Sequence, residues 1–258
     1  KKRSYLELRT AIINKEYGKK YITYYDKDDV WEKKDLNYNL VDVHYVVEQK
    51  QVLKDYKLDL RLEAGEGLLK TNLTYNTKLR FSEKSKMNLR LFAGYFLYNE
   101  NQSAVDYRYR ISGYQGKNDY WFDDMYLGRS ESKGILSQQL YMNDGGFKVF
   151  SPVGQTDKWL VSANIEMKPP WKLPIKVYGD IGTFHNAGYL VQGQTDWIVY
   201  DFGLTIKLPF MSVYWPMIMS PDIKKAVELN NSTYLQRISI FFNLSGLNPY
   251  KLRQKVDI

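Results

Sequence analysis

The sequence predicts an all-β fold, a transmembrane antiparallel β-barrel of roughly 12 to 14 strands, on three observations. Apolar and charged side chains alternate with a period of two. The alternating runs are long, suiting a tilted bilayer crossing of about 9 to 11 residues better than the common strand of about 5 to 6. Tyrosine and tryptophan gather near the run ends, as in the aromatic girdles of membrane proteins. The 258 residues read as one domain, 1–258, because no low-complexity linker divides them.

The clearest run is Asp55 to Ala64, where Tyr56, Leu58, Leu60, Leu62 and Ala64 alternate with Asp55, Lys57, Asp59, Arg61 and Glu63. After the turn at Gly65–Gly67 the pattern restarts over Leu69 to Phe81, and again over Met87 to Tyr98. Further strands are predicted over Tyr5–Ile13, Tyr38–Glu48, Val105–Ile111, Lys158–Met167, Ile175–Phe184, Trp197–Leu208, Met211–Met217 and Gln236–Leu244. Shorter candidates are Lys20–Tyr25, Ile135–Met142 and Phe147–Phe150. One helix is expected, Pro221 to Leu229, with proline near its start.

Connections divide into tight turns (GEG, NENQS, NDGG, KPPWKLP, LPF) and long loops (112–134, the stretch from His185, and the stretch from Met219). That division suits a barrel in the bacterial outer membrane, with the tight turns and both termini on the periplasmic side. The apolar set, Leu58, Leu60, Leu73, Leu79, Leu89 and Leu91, then faces lipid. The charged set, Asp55, Asp59, Arg61, Glu63, Lys78, Arg80, Arg90, Asp106, Arg108 and Arg110, lines the interior as a network of paired charges able to close it without a separate plug. Trp159, Trp171, Trp197 and Trp215 are the expected interfacial aromatics, with Tyr95, Tyr98, Trp121 and Tyr214 beside them.

Composition narrows the function. Without cysteine there are no disulfides and no thiolate metal sites. No run of about 18 apolar residues predicts a spanning helix. The net charge of +8 is spread over strands and loops beside 29 acids, unlike a nucleic-acid-binding face, and suits attraction to anionic lipid headgroups. The only histidines, His44 and His185, have no ligand cluster around them, so no metal site is expected. His44 reads as a hydrogen-bonded interior residue. Asp123 and Asp124 beside Arg129 read as turn caps or ion pairs, and no catalytic residue is assigned. GEG and NDGG precede no helix and are turns, not phosphate cradles.

From Phe122 onward, the stretches FDDMYLGRSESKGILSQQLYMNDGGFKV, WKLPIKVYGDIGTF, VYWPMIMSPDIKKAVE and RISIFFNLSGLNPYKLRQK resemble a family: the carboxy-terminal outer-membrane barrels attached to aminopeptidase-N-like zinc metallopeptidases of Bacteroidetes. The match covers about half the chain, in the family's order. It implies a membrane anchor or scaffold for an upstream peptidase-like domain whose zinc would lie outside this chain, since the His-Glu-x-x-His motif is absent here. The start, KKRSYLELRT, has no signal-peptide core and reads as the continuation of a longer chain. The end, LNPYKLRQKVDI, continues past the last strand, where many bacterial barrels finish on an aromatic residue. The expected partners are the lipid bilayer and lipopolysaccharide, and the loop-rich surface suits a larger outer-membrane complex. The competing expectation is a transporter, or an assembly or secretion component, with an open interior or a lateral seam.

Overall fold

The alternating runs become β1 (Lys2–Tyr21), β2 (Val30–Gln49), β3 (Lys54–Gly65), β4 (Leu68–Arg80) and β5 (Lys86–Asn99). Later come the short β6 (Tyr109–Arg110) and β7 (Gln155–Thr156), then β8 (Trp159–Lys168), β9 (Ile175–Phe184), β10 (Val199–Lys207), β11 (Met211–Met219), helix α1 (Pro221–Leu229) and β12 (Ser239–Phe242). The structure is a computed structural model describing residues 2–21, 30–51, 54–82, 85–100, 107–129, 134–151, 153–170, 173–185, 197–208, 210–229 and 233–242, without the side chains of 14–38, 54, 117 and 229. The predicted Asp106 and Trp171, most of Lys20–Tyr25 and the end of Gln236–Leu244 lie outside the described residues.

Ten strands form one antiparallel sheet in the order β1–β2–β3–β4–β5–β8–β9–β10–β11–β12. Each strand pairs with the next in the chain except at one place. There β5 pairs directly with β8, from Lys86 opposite Lys168 to Tyr95 opposite Trp159, and β6 and β7, which lie between them in the chain, pair with each other outside this sheet. A bulge between Phe202 and Gly203 accommodates Pro216 in β11, which has no backbone donor for the ladder. A Cβ on Gly203 would stand 1.9 Å from the Trp215 carbonyl oxygen, so only glycine fits there. Among the described residues no ladder joins β1 to β12, and no helix is long and apolar enough to cross a membrane.

The sheet has its polar side buried. Leu60, Leu62, Leu73, Leu91, Leu97, Val161, Ile165, Met167 and Ile181 are exposed, while Asp42, Glu63, Lys70, Asn164, Glu166, Asp180 and Asp201 on the opposite face are buried. A soluble antiparallel sheet shows the reverse arrangement.

Three predicted strands are corrected. Val105–Ile111 contributes only the two residues of β6, Ile135–Met142 begins with a 3₁₀ turn over Ile135–Gln138, and Phe147–Phe150 carries a single isolated bridge. All three belong to the segment 107–158, whose Tyr109, Ile111, Phe147, Val149 and Val153 form the centre of the hydrophobic core. Their alternation reflects burial against the sheet rather than membership of it.

The turns also sort differently from the prediction. One rim carries only short connections, at 50–53, 81–85, 169–174 and 208–210, and both the start of β1 and the end of β12 lie there. The GEG turn sits on the opposite rim with the long connections. NENQS leads into the inserted segment, and NDGG is a turn inside it, with Asp144 and Gly146 at positive φ.

Candidate functional site

The inserted segment rests where the sheet's inner face is stripped of side chains. Inner positions of β5 read Phe92, Gly94 and Phe96, and Tyr109 packs edge-on against both phenylalanines, at 5.7 and 5.1 Å between ring centroids. A Cβ on Gly94 would lie 2.8 Å from that tyrosine ring, and one on Gly182 would lie 2.5 Å from Ile111. These glycines let the insert lie against the strand backbone. The Tyr109 hydroxyl then donates to the Thr71 carbonyl at 2.8 Å.

Around this apolar centre, buried charges tie the insert to the strands. Glu63 of β3 accepts from the Tyr120 hydroxyl and the Trp121 indole N–H, at 2.7 and 2.8 Å. Lys70 of β4 donates to Tyr120 and to the Tyr107 carbonyl, at 2.7 and 3.0 Å. Asp42 of β2 accepts from Arg61 at 2.6 Å and Arg9 at 3.0 Å. Both arginines continue to Asp123 of the insert, at 2.5 Å from Arg9 and 3.5 Å from Arg61, and both stack on Trp121. Farther round, Lys148 pairs with Asp180 of β9 at 2.6 Å, and Asn164 of β8 bridges Asp180 to the Gly145 carbonyl. Arg90 of β5 donates to Asn164 and to the Asp144 carbonyl. A buried ion without such partners would cost several kcal/mol, and each charge named here is hydrogen-bonded.

The sheet curves around this segment. β8 and β11 are three interstrand spacings apart, roughly 14 Å along the sheet, yet the Tyr214 hydroxyl donates to Glu166 at 2.9 Å. The insert also touches both edge strands. Asp123 holds Arg9 of β1, while Leu140 N–H donates to the Ile240 carbonyl at 2.9 Å and the Tyr141 hydroxyl to the Phe242 carbonyl of β12 at 3.0 Å.

Below the insert, toward the short-turn rim, lies a cavity of about 710 Å³ lined from Glu48 of β2 round to Lys207 of β10. Of the predicted interior charges, Asp55, Asp59, Arg61, Glu63, Lys78 and Arg90 line it. Arg80 is exposed at the end of β4. Arg108 and Arg110 are buried, but on the insert rather than on a wall strand. Beside these charges, the inserted segment packs against the same inner face of the sheet. His44 donates or accepts at Asp59 across 2.5 Å, as an interior hydrogen-bonding residue.

Of the predicted lipid-facing set, Leu60, Leu73 and Leu91 are exposed on the outer face, and Leu58, Leu79 and Leu89 are half-buried there. Trp159 and Trp197 lie at the long-loop rim, whereas Trp215 sits at the middle of β11. Two further aromatics expected at an interface, Trp121 and Tyr214, face inward instead.

The acidic loop is a set of structural contacts. Asp119 caps the turn by accepting from the N–H groups of Asp123 and Asp124, and pairs with Arg129 at 3.0 Å. Asn143 donates to Asp124. Burial, with Asp119 and Asp123 nearby, pushes the Asp124 carboxyl up to about 6. Among the described residues, no group of three or more His, Cys, Asp or Glu could hold a metal ion. The sequence matches no protein-family model and no curated protein.

Proposed function

We propose that this chain is an outer-membrane β-barrel, sealed by its own inserted segment, that anchors or scaffolds an upstream metallopeptidase-like domain. The observation that carries the barrel reading is the inverted burial: leucine, isoleucine and valine exposed outward, carboxylates and ammonium groups buried inward. Such a surface is at home against acyl chains and costly against water. In this reading the short-turn rim faces the periplasm, with lipopolysaccharide around the long loops. The anchoring role is drawn from the quoted family-like stretches, and no residue of this chain is assigned a catalytic part.

A sealed barrel makes a clear prediction in a planar bilayer. The protein, refolded and inserted, should give almost no current, because the described residues of the inserted segment occupy the interior. Stable porin-sized conductance would move the reading to a transporter, which the cavity beneath the insert otherwise favours. Failure to insert into any bilayer, with a folded monomer in plain buffer, would sink the barrel reading itself.

A further inference from the structure

The short-turn ends of five neighbouring strands carry six cations on one face, five of them without a carboxylate at ion-pair distance among the described residues. Lys78 and Arg80 of β4, Lys86 of β5, Lys168 of β8, Lys176 of β9 and Lys207 of β10 all occupy inner-face positions. Arg80 stands opposite Lys86, and Lys86 opposite Lys168, so three like charges align across adjacent strands. Directly opposed like charges destabilise a sheet. Of the six, only Lys207 has a carboxylate within ion-pair distance among the described residues, Glu166. Asp55 lies opposite Lys78 in the register but forms no salt bridge with it. The other half of the same rim is balanced, with Arg3 paired to Glu48 and Lys57 to Asp59. The cation-rich half borders the 710 Å³ cavity, which Lys78 and Lys207 line.

We infer that this half-collar is a binding site for a small multivalent oxyanion bearing phosphate groups, which enters the cavity from the short-turn side. Cations carried side by side on the inner face of adjacent strands, two of them lining the cavity, match a compact polyanion, whose oxygens take charge-assisted hydrogen bonds from several donors at once. The side chains point to the inner face, away from the surface that lipid would cover, so the ligand is soluble rather than a lipid headgroup. The inference uses only the inner face of the sheet and holds whether or not the outer face meets a membrane.

The test is calorimetric titration of the full chain, in neutral detergent at low salt, with pyrophosphate as the probe. Saturable binding that weakens steeply with added salt is expected. Lys168→Gln and Lys176→Gln should each lower affinity at least about tenfold, the size expected for one hydrogen bond to a charged group. Lys158→Gln, exposed at the opposite, long-loop rim, should leave affinity unchanged. Circular dichroism of each variant checks that the sheet is intact. No saturable binding by the unaltered protein, or equal binding by the Lys168→Gln/Lys176→Gln double variant, would overturn the site. Displacement of pyrophosphate by phosphatidylglycerol in the micelle would overturn the soluble-ligand assignment, and binding of an acidic peptide but not pyrophosphate would overturn the assignment of a phosphate-bearing ligand.

Discussion

Lys148 of the inserted segment and Asp180 of β9 form an ion pair at 2.6 Å with neither side chain reaching solvent. Asp180 also accepts from the Lys148 backbone N–H at 3.1 Å and from Asn164 of β8 at 3.0 Å, so one carboxylate holds the insert at two points and is itself steadied by a neighbouring strand. Removing one partner leaves the other buried and unmatched. Lys148→Met should cost about 3 to 5 kcal/mol in urea unfolding, and Lys148→Met combined with Asp180→Leu clearly less. A double variant as unstable as the single would show that the pair does not act as a unit.

Gly94 should be the most sensitive small residue for seating the insert. Gly94→Val places methyl groups where the Tyr109 ring lies, and the ring cannot retreat without giving up its hydrogen bond to Thr71. Under the barrel reading, this variant should show transient current steps in a planar bilayer where the unaltered protein is silent. Silence with unchanged thermal stability would mean that Tyr109 adjusts.

Under the barrel reading, the outer face should respond to depth in the bilayer. Spin labels at Leu60, Leu73 and Leu91 should contact acyl-chain quenchers, and labels at Asp59, Lys78 and Arg90 should not. Leu73→Arg should destabilise the inserted protein by about 2 to 4 kcal/mol if Leu73 lies near the membrane midplane. Equal quenching of both sets would reverse the assignment of faces.

Asp124 predicts a pH dependence. Its carboxyl, pushed up to about 6 from 3.8, binds a proton more readily in the folded protein than in the unfolded chain. Its contribution therefore favours the fold as pH falls from 6 toward 4, and is lost as pH rises through 6. Asp124→Asn should be more stable than the parent at pH 7, by about 1 kcal/mol after allowing for solvent near the group. The difference should vanish near pH 4. Parallel stability profiles for the two proteins across that range would refute it.

Much of the wall was legible from periodicity. The boundaries read for Ile175–Phe184 and for the helix Pro221–Leu229 coincide with β9 and α1, and Asp55–Ala64 lies within β3. The insert was not legible in the same way. Tyr109, Ile111, Phe147 and Val149 alternate with polar residues as a wall strand would, and a local pattern does not say which surface its apolar residues meet. One signal was present: Phe92, Gly94 and Phe96 interrupt the charged face of β5. Apolar and side-chain-free positions on a face otherwise lined with charge mean that something apolar packs there. The sorting of the turns failed for a related reason, since GEG is short but joins β3 to β4 at the long-loop rim.

The inserted segment also bears on the order in which the chain assembles. It reaches β1 across 114 residues, from Arg9 to Asp123, and β12 across 101, from Tyr141 to Phe242. A sheet that had to bring its two edges together unaided would close a loop roughly twice as long, at greater entropic cost and with few intermediate contacts to guide it. Here the middle of the chain acts as a mandrel. The amino-terminal five strands and the carboxy-terminal five can each fold onto it independently, each half held in place before the other arrives.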